Sequence, residues 1–101
     1  MLSFYDDFYR IPADIVTSPY ISDSAKILYA ILLFKYVEAR KNNQIDDNGR
    51  VFISYAQSDM ACDLHKSDRT IRRLLNELTE TGLIGIQTKH SPGENRQIYI
   101  I

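Results

Sequence analysis

Three patterns in the sequence predict an α+β fold with a long N-terminal helix and a C-terminal β-hairpin. The first is Ser67 to Leu78, where Ile71, Leu74, Leu75 and Leu78 recur at i, i+3, i+4 and i+7 and so share one helix face. At about 100° per residue, Arg69, Arg73 and Asn76 project from the opposite face, with Lys66 beside them and Arg72 on a flank. The second is a pair of runs, Leu83 to Thr88 and Gln97 to Ile100, that read as strands. Lys89 to Arg96 joins them through turn chemistry at Pro92-Gly93. The third is order: helix, helix, strand, helix, turn, helix, strand, wing, strand is the sequence of elements in a winged helix-turn-helix, and each local signal agrees with it.

The elements follow from local chemistry. Phe4, Tyr5, Phe8 and Tyr9 crowd the N-terminus at spacings that suit an extended arm or an irregular first turn. Pro12 suits the first turn of a short helix to Val16, where its missing N–H costs nothing, and Ser18-Pro19 ends it. Ser22 or Asp23 caps the longest helix, which runs to about Lys41, with Arg40-Lys41 complementing the macrodipole. From Ile27 to Leu33 this helix is apolar on nearly every side. Such a helix is either buried all round or buried on one face and docked on a partner by another. Its main seam is Ala25, Leu28, Tyr29, Leu32 and Tyr36, which leaves Ile27, Ile31 and Phe34 on exposed flanks.

Asp46-Asp47-Asn48-Gly49 superficially resembles a calcium loop. Its glycine comes two positions early and the required glutamate is missing, so it reads as a turn with surface charge. Arg50 to Ile53 is a short strand. A helix from Ser54 or Ala56 to Leu64 follows, with Ser54 and Gln57 as a capping box. His65-Lys66-Ser67 is a three-residue turn, and Ser67 caps the basic helix.

At 101 residues, 45% hydrophobic and 25% charged, the chain has the size and composition of one soluble globular domain spanning 1–101. Its single cysteine excludes an intramolecular disulfide and suits a reducing cytoplasm, and Cys62 reads as a small half-buried apolar residue. Asp6 and Asp7 stand where a signal peptide would be basic, and the apolar run Ile27 to Phe34 is too short to span a bilayer. The net charge of −1 argues against a protein that coats nucleic acid indiscriminately. Distribution matters more: Lys66 to Arg73 holds four basic residues and one acidic, whereas residues 1–50 hold six and seven. A local basic patch on a neutral body suits a site-specific binder. The bland alternative is a solvated helix face with i,i+4 pairs such as Arg73 to Glu77.

Several ordered segments resemble a known family. They are Phe8 to Pro12, Ser24 to Leu33, Asp47 to Ile53, Leu64 to Thr70, Leu78 to Ile84 and Gln97 to Ile100. Together, over nearly the whole chain, they look like the N-terminal domain of the plasmid replication initiator A family. Phe34, Gln44, Ala56 and Lys66 depart from that family's usual residues. The resemblance implies a winged-helix domain that binds repeated double-stranded sites at a plasmid replication origin, often as a dimer. It also implies host replication proteins recruited through a C-terminal region absent here. The chain ends abruptly on a strand, which suggests the N-terminal part of a longer initiator.

On this reading the helix from Ser67 to about Thr81 lies in the major groove. Arg69, Thr70, Arg73 and Asn76 are placed to reach base edges, because arginine pairs bidentately with guanine and asparagine with adenine. Ser67 offers its N–H or hydroxyl to a phosphate, and Lys66 and Arg72 hold the backbone. Lys89, His90, Asn95 and Arg96 bring the wing to a minor groove or phosphate, or form a solvated tip. The expected partner set is origin DNA and a second copy through the arm and long helix, with no cofactor, no metal and no membrane. An enzyme is not expected: His65 and His90 form no paired-histidine motif, and no recognisable nucleophile accompanies them. A winged-helix transcriptional regulator that binds promoter DNA is the main alternative, since fold does not fix function, and a pure protein-interaction module is another.

Overall fold

The structure is a computed structural model that describes residues 8–87 and 97–101. Among the described residues there are four helices, α1 (Ala13–Val16), α2 (Asp23–Lys41), α3 (Gln57–Leu64) and α4 (Asp68–Glu80), and three strands, β1 (Ile53–Ser54), β2 (Ile84–Gln87) and β3 (Gln97–Ile100). The strands form one antiparallel sheet in the order β1-β3-β2. Pairing of Ile84 with Ile100 and of Gln87 with Gln97 makes β2 and β3 the two legs of a hairpin. Helices α3 and α4 pack on each other. Helix α2 lies across α4, β1 and β3, and α4 rests on β2. This is the expected winged helix.

The core sits where these elements converge. Leu28 and Leu32 of α2, Ile53, Met60, Ile84, Ile98 and the α4 residues Ile71, Leu74 and Leu78 are all fully buried. Leu75 completes the α4 stripe. The buried face of α4 therefore lies where the sequence puts it.

Three helices stop in the same way. Asn43, His65 and Gly82 adopt left-handed backbone conformations just past α2, α3 and α4. In each case the following N–H reaches back to a carbonyl five residues earlier, Gln44 to Ala39, Lys66 to Ala61 and Leu83 to Leu78, at 2.9 to 3.1 Å. This is the Schellman arrangement, which satisfies carbonyls the helix cannot. Glycine carries no Cβ penalty at Gly82, and Asn and His are among the side chains that tolerate the conformation best. The second of these stops sets the turn between α3 and α4.

Several boundaries differ from expectation. Pro12 caps α1 from outside, and its carbonyl accepts from Ile15 and Val16. The expected strand Arg50 to Ile53 shrinks to Ile53–Ser54, because Val51 makes only an isolated bridge with Ile45. The expected capping box at α3 is absent. Ser54 belongs to β1, Ala56 occupies the cap without a side-chain bond, and Gln57 Nε2 donates instead to the Asp68 carbonyl at 3.1 Å. The first hairpin strand covers Ile84 to Gln87, one residue later than expected at its start, and Thr88 lies outside the described residues. Cys62, expected half-buried, is exposed on α3.

Two readings of α2 also change. Ile31, expected on an exposed flank, packs half-buried against the core, as does Tyr36. Phe34 is half-buried and meets the Tyr9 ring edge-on at 5.1 Å. Ile27 is exposed as expected, at 55%, and Val37 joins it at 50%.

The Asp46 turn does more than carry surface charge. Asp46 Oδ1 accepts the N–H groups of Asn48 and Arg50, both at 2.9 Å, and Gly49 closes the turn at φ +81°. Asp46 Oδ2 accepts the Tyr99 hydroxyl at 2.8 Å, and the Arg50 guanidinium lies 4.2 Å from the centre of the Tyr99 ring. Bonding from the Arg50 N–H holds the Asp46 carboxyl below the usual range despite partial desolvation, with further help from Tyr99, Asn48 and the Arg50 charge. The Gln97 and Gln87 amide oxygens lie 2.9 and 3.2 Å from the same hydroxyl, so the turn braces the hairpin where its legs leave the sheet.

Candidate nucleic-acid interface

The candidate interface is built on α4, the second helix of the α3–α4 pair. Its N-terminus is fixed by Ser67, whose hydroxyl oxygen accepts the Thr70 N–H at 3.1 Å while the hydroxyl donates to Thr70 Oγ1 at 3.0 Å. Ser67 and half-buried Thr70 are thus committed to each other. Gln57 ties the first turn of α4 to the first turn of α3 through the Asp68 carbonyl. Burial of Ile71, Leu74, Leu75 and Leu78 then fixes the rotation of α4 about its axis, since turning it would expose this stripe.

That rotation places the basic residues outward. Arg69, Arg72, Arg73 and Asn76 are exposed and line one open trough together with Glu77 and Glu80. Arg72, expected on a flank, belongs to the same trough. Lys66 is exposed in the turn before α4, next to the helix N-terminus. Among the described residues, no carboxylate and no hydrogen-bond acceptor partners the side chains of Lys66, Arg69, Arg72 or Arg73. The Arg73 to Glu77 pair of the alternative reading, a solvated helix face, does not form.

Glu77 is engaged elsewhere. Its Oε1 accepts the Ser22 N–H at 2.9 Å and its Oε2 accepts the Ser22 hydroxyl at 2.7 Å. Ser22 Oγ in turn accepts the Ala25 N–H at 3.3 Å and so caps α2. The sequence marked Ser22 as a cap but gave no sign of a partner 55 positions away, because pattern reading sees only near neighbours. Lys89, His90, Asn95 and Arg96, the expected wing contacts, lie outside the described residues, as do Phe4 and Tyr5 of the arm.

Tyr55 donates its hydroxyl to Asp63, anchoring α3 to the strand before it, and the Lys35 ammonium sits 4.4 Å from the centre of the Tyr55 ring. Burial, then the bond to Asp63, pushes the Tyr55 hydroxyl well above its ordinary range, so it stays neutral. Among the described residues, no group of three His, Cys, Asp or Glu side chains is placed to hold a metal ion. No described helix is long and apolar enough to cross a membrane.

Residues 7–101 match the family described as replication initiator protein A (RepA) N-terminus. The chain belongs to this family. Solved structures agree in fold. One, described as the N-terminal domain of a DNA binding protein, superimposes with a TM-score of 0.76 at 23% identity, covering 96% of this chain and 76% of that one. Another, described as a Rep–DNA complex, gives 0.77 at 23% identity, covering 96% and 77%. A third, described as an MDR initiator, gives 0.70 at 30% identity, covering 96% and 78%. No curated protein matches the chain.

Proposed function

We propose that this replication initiator domain binds double-stranded DNA at the repeated sites of a plasmid origin, with α4 in the major groove. One observation carries the reading: three arginines and an asparagine stand together on the solvent face of the second helix of a helix-turn-helix, Lys66 is exposed in the turn before it, and none of the four cations has an acidic partner among the described residues. Unpaired cations at this density repel one another and gain by meeting phosphates, where each neutralised charge releases counterions. Arg69, Arg73 and Asn76 are assigned to base edges, and Lys66 and Arg72 to the backbone. Because the Ser67 hydroxyl is spent on its cap, the phosphate contact assigned to Ser67 falls to N–H groups at the helix start. Thr70, tied to Ser67, contributes to that start more than to base reading. The solved Rep–DNA complex supports the reading by likeness of fold.

The proposal is of binding alone, without a chemical step, in the cytoplasm. It includes self-association through the N-terminal segment and α2, where Phe8, Ile11, Leu33, Phe34 and Val37 line an apolar groove of about 680 Å³. Host replication proteins would be recruited by a region beyond this domain. Footprinting on origin direct repeats against promoter DNA tests the main claim: periodic protection of the repeats is expected. Protection of promoter DNA alone would favour a transcriptional regulator, and absence of all duplex binding at low salt would leave an interaction module. Sedimentation at tens of micromolar tests the dimer, and a clean monomer that binds one subunit per site would remove it.

A further inference from the structure

Glu77 poses a chemical problem for the α4 surface. It lies four residues after Arg73 on the same helix and lines the same trough, so the two side chains are natural partners. A carboxylate there would cancel one of the charges that face DNA and would itself repel phosphate. Yet both Glu77 oxygens are turned onto Ser22, one on its N–H and one on its hydroxyl, at 2.9 and 2.7 Å. These donors sit at the N-terminus of the 19-residue α2, where the helix macrodipole also favours a negative charge. Among the described residues, Arg73 is left without an acidic partner.

We propose that Ser22 and Glu77 form a clasp that keeps the Glu77 carboxylate off Arg73 and so holds Arg73 available for DNA. The inference rests on the DNA-binding reading above. Glu77 is a positioning residue in this account: it acts through Arg73 and through the alignment of α4 on α2, without touching DNA. Placing the acid on α2 gives α4 a tertiary anchor without a charge cost on its reading face. A purely structural clasp predicts something different, namely that variants lose stability without altering Arg73.

Three single variants and one double variant separate the two accounts. Glu77→Asp keeps the charge but is one methylene too short for Ser22. Glu77→Gln removes the charge, while its amide still accepts the Ser22 N–H. Ser22→Ala removes the hydroxyl leg and frees one carboxylate oxygen. Affinity for a duplex selected by the wild-type domain from a random pool is measured by fluorescence anisotropy. Urea unfolding of each variant fixes conditions in which all are folded. Glu77→Asp and Ser22→Ala are expected to bind about two- to five-fold more weakly, the scale of an i,i+4 ion pair plus added repulsion. Glu77→Gln is expected to bind as tightly as wild type or tighter. The double variant Ser22→Ala/Glu77→Gln should recover affinity without recovering stability, since the α2 cap stays lost.

Arg73 Nε–Hε resonances of the free domain give a readout independent of DNA. They should move in Glu77→Asp and Ser22→Ala and hold still in Glu77→Gln. If Glu77→Asp binds like wild type, or the double variant stays as weak as Ser22→Ala, the proposal is overturned. Wild type that binds no duplex at low salt would overturn the DNA-binding reading instead, while the Arg73 resonances still report on the clasp.

Discussion

Helices α2 and α4 are the two long helices of this domain, and they treat their side chains in opposite ways. Helix α4 divides cleanly: Ile71, Leu74, Leu75 and Leu78 are buried at 2% exposure or less, and Arg69, Arg72, Arg73 and Asn76 stand in solvent. Helix α2 distributes apolar residues round its circumference. Leu28 and Leu32 enter the core, Phe34 meets the N-terminal segment, and Ile27 and Val37 remain exposed. A helix with one apolar stripe has one way to dock, so its free face is defined by exclusion. A helix with several apolar faces has several partners, and its pattern does not rank them. The sequence therefore fixes which face of α4 is free and leaves the docking faces of α2 unranked.

The largest test of this contrast is Leu74→Ala. The side chain is fully buried at the centre of the α4 stripe, so its truncation should cost about 2–5 kcal/mol in urea unfolding. A loss within about 0.5 kcal/mol, the range of surface sites, would break the division of faces on α4. The next largest effect belongs to the opposite face. Arg73→Ala should cost roughly 1–3 kcal/mol on the cognate site and relax preference at one base pair. Binding selection with full affinity and unchanged preference would remove Arg73 from the reading face. Lys66→Ala, by contrast, should weaken all sequences alike and reduce the salt slope by about one unit.

The legible part of the molecule is the part governed by short-range rules. The Ser22 and Ser67 caps, the α4 stripe and the hairpin legs each follow from residues within a few positions of one another. What escaped the sequence depends on distant partners. Ser22 with Glu77, Tyr99 with Asp46 and Phe34 with Tyr9 are 55, 53 and 25 positions apart, and nothing local announces them. The missing α3 cap is a different kind of miss. Ser54 and Gln57 have the right spacing, but Ser54 is already claimed by pairing with Gln97 in the sheet. Lys89, His90, Asn95 and Arg96 lie outside the described residues, so their roles rest on sequence alone.

The two serine caps sharpen the comparison at smaller scale. Among the described residues, the Ser67 side chain bonds only within the first turn of α4, whereas Ser22 caps α2 and also holds Glu77. Ser67→Ala should cost about 1 kcal/mol, the usual loss for a serine cap. Ser22→Ala should cost more, because it also removes a hydrogen bond to a charged acceptor. Equal losses in urea unfolding would mean that the contact with Glu77 adds nothing to stability.

The smallest effect is expected on the outer face of α2, at Ile27→Ser. Ile27 is 55% exposed, so within a monomer its replacement leaves little apolar contact to lose. Serine and isoleucine also have similar helix propensities, and the stability change should stay within about 0.5 kcal/mol. The dimer proposed above adds a condition. Anything that binds only the folded chain stabilises it by mass action, so an interface on this face makes unfolding depend on protein concentration. Ile27→Ser should then unfold like wild type below about 1 μM and less stably than wild type at tens of micromolar. Identical unfolding at both concentrations would take Ile27 out of any interface. A loss of about 2 kcal/mol already at the low concentration would mean that Ile27 is buried within one chain, and α2 would then be a helix buried all round.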